Sequence, residues 1–151
     1  MTGWRLGYLV APAEVSRHVT RMQAAAVASA SVVAQVAGIA GLEGSQEPVS
    51  EMVAAYRRRR DLALAMLDAG GVGYVRPDGA LYVMVDIRST RMPSKDFALA
   101  LLRDRAVCTT AGSAFGAECE GFLRISLASS DEDLRVGIGR LVDYIQAQAG
   151  A

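Results

Sequence analysis

The glycine pair Gly70-Gly71 divides this chain of 151 residues into two stretches with different hydrophobic periods. Before the pair, apolar residues recur every three or four positions, which is typical of helices. After it, short apolar runs alternate with turn residues, which is typical of strands. Because glycine favours the end of a helix, the pair predicts where a long helix stops. We therefore expect helices first and then a small antiparallel or mixed sheet flanked by helices, an α+β fold.

The spacing of apolar residues predicts several helices along the chain. They cover residues 13–27, from Ser29 or Ser31 to Leu42, 49–67, from Ser94 to Leu102, and from Ser130 to Ile145. Ser94 and Ser130 are each expected to cap the helix that follows, because a serine oxygen can accept a free N–H of the first turn. The helix over 49–67 has apolar residues on two sides and is expected to pack between two bodies.

Short apolar runs predict the strands. Residues 5–10 form one buried run before the first helix. Residues 72–75 and 80–87 flank an Arg-Pro-Asp-Gly turn and predict a hairpin. Two further strands are expected over 107–110 and 122–128.

Charge argues against a nucleic acid or a charged membrane as partner. Sixteen basic and sixteen acidic residues give a formal net charge of zero. The run Arg57–Arg60 is the one basic cluster, but consecutive helical residues point around the helix and do not form one face.

Cysteine and histidine content excludes an ordinary zinc site. The chain has Cys108 and Cys119 without a CxxC pair, and its only histidine is His18. No metal ligands are therefore assigned, and reduced thiols are expected.

The stretch from Ala24 to Leu42 is rich in alanine and glycine and is a poor candidate for a membrane span. No secretory signal pattern is visible, so a cytoplasmic location is expected.

Lysine is nearly absent. Lys95 is the only one, and the other basic residues counted are arginines. Lys95 directly follows a predicted capping serine and is expected to be exposed. Lysines that form imines are normally buried, because burial lowers the pKa of the amine. Lys95 is therefore not expected to act as a nucleophile.

Five short motifs occur in one order along almost the whole chain. They are Gly-Trp-Arg-Leu-Gly over 3–7, Tyr56–Asp61, Pro77–Tyr82, Ala111–Gly116 and Gly121–Ala128. Together they resemble the C-terminal portion of class I/II aminotransferases, the fold-type-I enzymes that use pyridoxal 5'-phosphate.

The resemblance implies a division of the chain. Residues 1–45 would be the end of the large cofactor-binding domain, 46–70 the connecting helix, and 71–151 the small C-terminal domain. In the family the Schiff-base lysine precedes the Gly-x-Arg-x-Gly motif, and motif spacing puts it about three residues upstream of Met1. No catalytic residue is therefore assigned within this chain, and the chain alone is expected to be inactive.

The resemblance also implies roles for two arginines. Arg5 matches the arginine that binds the cofactor phosphate, for which a guanidinium fork suits a dianion. Arg124 matches the arginine that holds the substrate carboxylate through two parallel hydrogen bonds. It lies inside an apolar strand, where an unpaired charge is costly, so an ordinary surface or core ion pair explains it poorly. For Arg5, the flanking glycines equally allow a merely tight backbone.

The implied reaction is the transfer of an amino group between an amino acid and a 2-oxo acid by a homodimeric enzyme. Two alternatives stay open. One is a non-enzymatic, ligand-sensing aminotransferase-like module of a regulator. The other is a related fold-type-I lyase, which Arg5 and Arg124 would serve equally well. The identities of the amino donor and acceptor are not specified by these motifs.

Overall fold

Helices and strands follow each other in the order that the change of hydrophobic period predicts. The computed structural model describes residues 1–150. Their helices and strands are α1 (Ala13–Val27), α2 (Val32–Glu43), α3 (Glu47–Ala69), β1 (Tyr74–Val75), β2 (Tyr82–Asp86), α4 (Ser94–Arg105), β3 (Thr110–Ala111), β4 (Phe122–Ser126) and α5 (Asp131–Ala149). The predicted α+β fold is confirmed. The chain divides into two compact units, Met1–Ser50 and the residues from Glu51 onwards.

The unit Met1–Ser50 contains a short 3-10 turn at Thr2–Trp4 followed by α1 and α2. The strand predicted over residues 5–10 is wrong. Arg5 has left-handed backbone angles, with φ 52°, and residues 5–10 pair with no strand among residues 1–150. An apolar run needs a hydrogen-bonding neighbour to become a strand, and the sequence pattern alone does not supply one. The predicted helices over 13–27 and from Ser31 are confirmed.

The second unit is built on a four-stranded sheet with the order β1-β2-β4-β3. All of its pairings are antiparallel. The central pair aligns Val83 with Ile125 and Val85 with Leu123, and all four side chains are buried. The hairpin prediction is confirmed. The other two strands are shifted or shorter than predicted, since β3 begins at Thr110 and β4 ends at Ser126.

One face of this sheet packs against helices to form the core. The residues of the core are Ala63, Leu64, Leu67, Val72, Val83, Val85, Ile87, Phe97, Leu101, Leu123, Ile125, Leu127, Leu134, Ile138, Leu141, Val142, Tyr144 and Ile145. The buried core residues of helix α3 all come from its second half, whereas Val49, Met52 and Val53 are about half exposed. It ends before Gly71, whose φ of 66° confirms the predicted stop.

The two predicted serine caps have different outcomes. Ser130 accepts a hydrogen bond from the Asp133 N–H at 3.0 Å and caps α5, as predicted. Ser94 does not cap α4, so that prediction is wrong. Pro93 holds the cap position, and the Ser94 hydroxyl is bonded elsewhere. No helix within residues 1–150 has the length and hydropathy needed to cross a bilayer.

Candidate functional site

Arg124 lies in the middle of β4, on the face of the sheet that points away from the core. Its neighbours Leu123 and Ile125 are buried on the other face, as strand alternation requires, while Arg124 is half-buried. Met84 of β2 and Thr110 of β3 lie opposite it in the two adjacent strands. The core therefore fixes the backbone that carries this guanidinium.

Two aromatic rings flank the guanidinium of Arg124. Its Cζ atom lies 4.2 Å from the ring centroid of Tyr82 and 4.6 Å from that of Phe115. Both distances are within the range of cation–π contacts. In addition, Nη2 donates a 3.4 Å hydrogen bond to Oγ1 of Thr110. We call Tyr82 and Phe115 the aromatic pair.

Arg124 forms no salt bridge with any carboxylate of residues 1–150. Four other arginines do have an acidic partner. They are Arg58 and Arg59 with Asp131, Arg60 with Asp61, and Arg88 with Asp86. The charge of Arg124 is thus held in place by rings and a hydroxyl. Most of its N–H donors stay available to an anion from outside the chain.

Phe115 reaches Arg124 because β3 runs directly into a tight 3-10 turn, Gly112–Phe115. A Cβ atom at Gly112 would collide with the carbonyl oxygens of Cys119 and Phe122, so only glycine fits there. Gly116 ends the turn with φ 116°, which other residues rarely adopt. These glycines explain why the motif Ala111–Gly116 has its particular composition.

Arg5 lies in the unit Met1–Ser50, at the end of the first 3-10 turn. Its side chain is exposed, and its one hydrogen bond joins Nη1 to the Thr2 carbonyl at 3.5 Å. It forms no salt bridge within residues 1–150. Cβ atoms at Gly3 and Gly7 would meet nothing within 4 Å, so packing within the described chain does not require these glycines. The guanidinium is open to an external anion.

The remaining candidates have no site around them. Lys95 is exposed in the first turn of α4, as predicted, and His18 is exposed on α1. Cys108 and Cys119 are unpaired thiols. No group of three or more metal-ligating side chains occurs within the described part of the chain.

Sequence reasoning missed the aromatic pair and Thr110. Tyr82 and Phe115 both stand inside motifs that the resemblance rests on, so motif membership was the available signal. Their approach to Arg124 depends on strand register and on the turn at Gly112, which are not visible in the sequence.

The aminotransferase class I and II family profile matches residues 1–141. The chain belongs to this family. This match confirms the resemblance inferred from the motifs. Members of the family are pyridoxal-phosphate-dependent enzymes. A probable N-acetyl-LL-diaminopimelate aminotransferase of Bacillus subtilis is 36% identical over 96% of this chain and 37% of its own length. The aspartate aminotransferase of Pyrococcus horikoshii is 36% identical over 98% of this chain and 39% of its own length.

Solved structures of aminotransferases share the fold. The aromatic aminotransferase of Pyrococcus horikoshii superposes with a TM-score of 0.89 at 34% identity, over 97% of this chain and 40% of that one. The aspartate aminotransferase of Thermus thermophilus with maleate gives a TM-score of 0.87 at 35% identity, over 95% of this chain and 38% of that one. The chain therefore has the fold of a portion of a fold-type-I aminotransferase and spans well under half the length of these relatives.

Proposed function

We propose that this chain is the C-terminal part of an aminotransferase that moves an amino group between an amino acid and a 2-oxo acid. The observation that carries the proposal is the guanidinium of Arg124, which the aromatic pair holds in place and no described carboxylate neutralises. Both substrates of such a reaction have a carboxylate next to the reacting carbon. One fixed arginine can therefore bind the amino acid and the 2-oxo acid in turn.

Arg124 is suited to orient a substrate as well as to attract it. A guanidinium and a carboxylate are both planar and form two parallel charge-assisted hydrogen bonds. Because the strand and the aromatic pair restrict the guanidinium, a bound carboxylate would have few orientations available. Restricting the substrate in this way contributes to rate through proximity and orientation.

Arg5 is the residue of this chain that we propose for the cofactor phosphate. Its exposed guanidinium, its lack of an acidic partner within residues 1–150 and the open space at Gly3 and Gly7 fit a bulky dianion. Pyridoxal phosphate, when bound, supplies an electron sink for the charge that develops on the substrate carbon. Arg5 would anchor that group at its phosphate, away from the reacting atoms.

The division into residues 1–45, 46–70 and 71–151, with the Schiff-base lysine upstream of Met1, is part of the same proposal. We further propose a cytoplasmic homodimer that acts on small molecules.

The proposed position of the Schiff-base lysine predicts that the 151-residue chain alone has no transaminase activity. Incubation with pyridoxal phosphate, borohydride reduction and peptide mapping should find no stoichiometric adduct. Stoichiometric labelling of Lys95 in an active sample would contradict this prediction.

The deciding experiment compares two single substitutions in a complete enzyme that includes this chain. Arg124→Lys keeps the charge but loses the planar fork, so kcat/KM for the amino acid should fall while the cofactor stays bound. The loss of one charge-assisted bond corresponds to roughly tenfold to a hundredfold. Arg5→Lys should instead weaken retention of the cofactor first. Release of the cofactor by Arg124→Lys, with unchanged affinity for the amino acid, would show that the two roles are assigned wrongly.

A further inference from the structure

Ser94 is the most deeply buried polar side chain of the described residues, and it lies where three segments meet. Its relative exposure is 0%, and it is the first residue of α4. Its Oγ lies 3.0 Å from Oε2 of Glu120, to which it donates, and it accepts the backbone N–H of Ser113 at 3.2 Å. The Oγ of Ser113 lies 3.2 Å from the Oγ of Ser94. A single hydroxyl thus joins the start of α4, the turn Gly112–Phe115 and Glu120.

Glu120 completes this arrangement from the other side. Its Oε1 accepts the backbone N–H groups of Ser94 at 2.6 Å and of Gly121 at 3.0 Å. These hydrogen bonds, first the one from the Ser94 N–H, lower the pKa of the Glu120 carboxyl below its ordinary value. The ionised carboxylate supplies the acceptor that a capping serine would otherwise provide at the start of α4.

The turn held by Ser94 is the one that carries Phe115. Phe115 is 47% exposed, so packing around its ring does little to fix it. Its position therefore depends strongly on the backbone of the turn, in which the Ser113 N–H is bonded to Ser94. Phe115 in turn lies against the guanidinium of Arg124.

We infer that Ser94 and Glu120 are positioning residues that hold the turn Gly112–Phe115 so that Phe115 stays against Arg124. The inference rests on the proposed function, because it gives the two residues a part in binding the substrate carboxylate. Neither residue is proposed to touch the substrate. They act through Ser113 and Phe115.

The test measures how well the guanidinium of Arg124 is covered. The 151-residue chain is treated with 2,3-butanedione, which modifies accessible arginines, and each site is followed by peptide mass spectrometry. Exposed Arg135, which has no acidic partner among residues 1–150, is the internal reference. Phe115→Leu, which removes that ring, sets the rate for an Arg124 that is flanked by Tyr82 alone.

Ser94→Ala and Glu120→Gln should each raise the rate at Arg124 relative to Arg135 by roughly twofold to tenfold, the size of one lost hydrogen bond. The double variant should add little, because the two residues act through one contact. Ser113→Ala is the matched control. It keeps the backbone N–H that Ser94 accepts and loses only the contact between the two hydroxyls, so it should raise the ratio less than Ser94→Ala does.

A second arm uses 2-oxoglutarate as the carboxylate probe. It should slow the modification of Arg124 in the unsubstituted chain and do so less well in Ser94→Ala and Glu120→Gln. If the probe protects Arg124 but neither substitution changes its rate, the positioning role is wrong and the proposed function stands. If the probe gives no protection while the substitutions still uncover Arg124, the proposed carboxylate site is wrong. An equal rise at Arg59, which pairs with Asp131, would indicate general loosening and would contradict a positioning role.

Discussion

The two units of this chain bury their apolar residues to very different extents. Among the first fifty residues only Ala34 is a buried hydrophobic residue, whereas the core cluster of the second unit has eighteen members. Yet the first unit is not poor in apolar side chains, since Val32, Val36 and Ile39 of α2 are 72%, 62% and 55% exposed. The difference shows that a helix with apolar side chains acquires a core only where a second layer covers it.

The same difference separates the two proposed binding arginines. Arg124 lies on a strand whose other face is the core, so the chain itself fixes its position. Arg5 lies on an irregular segment with left-handed backbone angles and no ladder partner among residues 1–150. The second unit thus fixes the arginine proposed for the carboxylate. The first unit does not fix Arg5 in the same way.

The largest effect should come from truncating a leucine in each unit. Leu101 of α4 is 0% exposed and Leu42 of α2 is 65% exposed. Leu101→Ala removes buried methyl groups and leaves a cavity, so the free energy of unfolding should fall by about 2–5 kcal/mol. Leu42→Ala should change it by less than about 0.5 kcal/mol. Urea denaturation of the two variants and the unsubstituted chain gives both values.

Equal losses in the free energy of unfolding for Leu101→Ala and Leu42→Ala would contradict the difference between the two units, because they would show that α2 is as well packed as α4. Since both substitutions are leucine to alanine within a helix, the difference in helix propensity largely cancels.

A smaller effect is expected on association. Exposed apolar surface favours self-association, and α2 presents a row of it. We expect the purified chain to form higher-mass species by light scattering, and Ile39→Lys to reduce their proportion. Leu99→Lys is the matched control, because Leu99 of α4 is 48% exposed in the unit that has its own core. A clean monomer before substitution, or equal effects of the two changes, would contradict this view of the first unit.

Hydrophobic period predicted the helices and the hairpin well, since each has its own local signal. It failed at residues 5–10, where a short apolar run found no strand to pair with. The preference of serine for helix caps failed at Ser94, because its hydroxyl donates to Glu120, 26 positions away, and does not cap the nearby helix start. In both cases the outcome depends on a partner distant in sequence, or on its absence.

Site residues divide in the same way. The placement of Arg124 opposite the core follows from strand alternation and was predictable. The aromatic pair was not, because Tyr82 and Phe115 come from β2 and from the turn after β3. Their approach to Arg124 follows from the strand order β1-β2-β4-β3, which local patterns do not specify.

The smallest expected effect concerns acid and the ion pairs of the second unit. Within residues 1–150 every salt bridge lies beyond residue 57. Hydrogen bonds from Arg58, which has the larger effect, and from Arg59 lower the pKa of Asp131 from 3.8 to about 2. A lowered folded-state pKa contributes stability that is present above the unfolded value and is lost as the pH falls. The contribution of Asp131 should therefore fade between pH 3.8 and about 2.

Asp131→Asn removes this contribution, so its deficit in the free energy of unfolding should be visible near neutral pH and should shrink below pH 3.8. The deficit should be modest, because exposed ion pairs contribute little.

Glu132→Gln is the control. Glu132 shares the first turn of α5 but has no hydrogen-bond partner or salt bridge through its side chain within residues 1–150. It therefore reports the effect of the helix dipole alone. Urea denaturation of both variants across this pH range is the measurement. A deficit for Asp131→Asn that is no larger than that for Glu132→Gln, or that grows in acid, would show that the pairs with Arg58 and Arg59 do not stabilise the second unit.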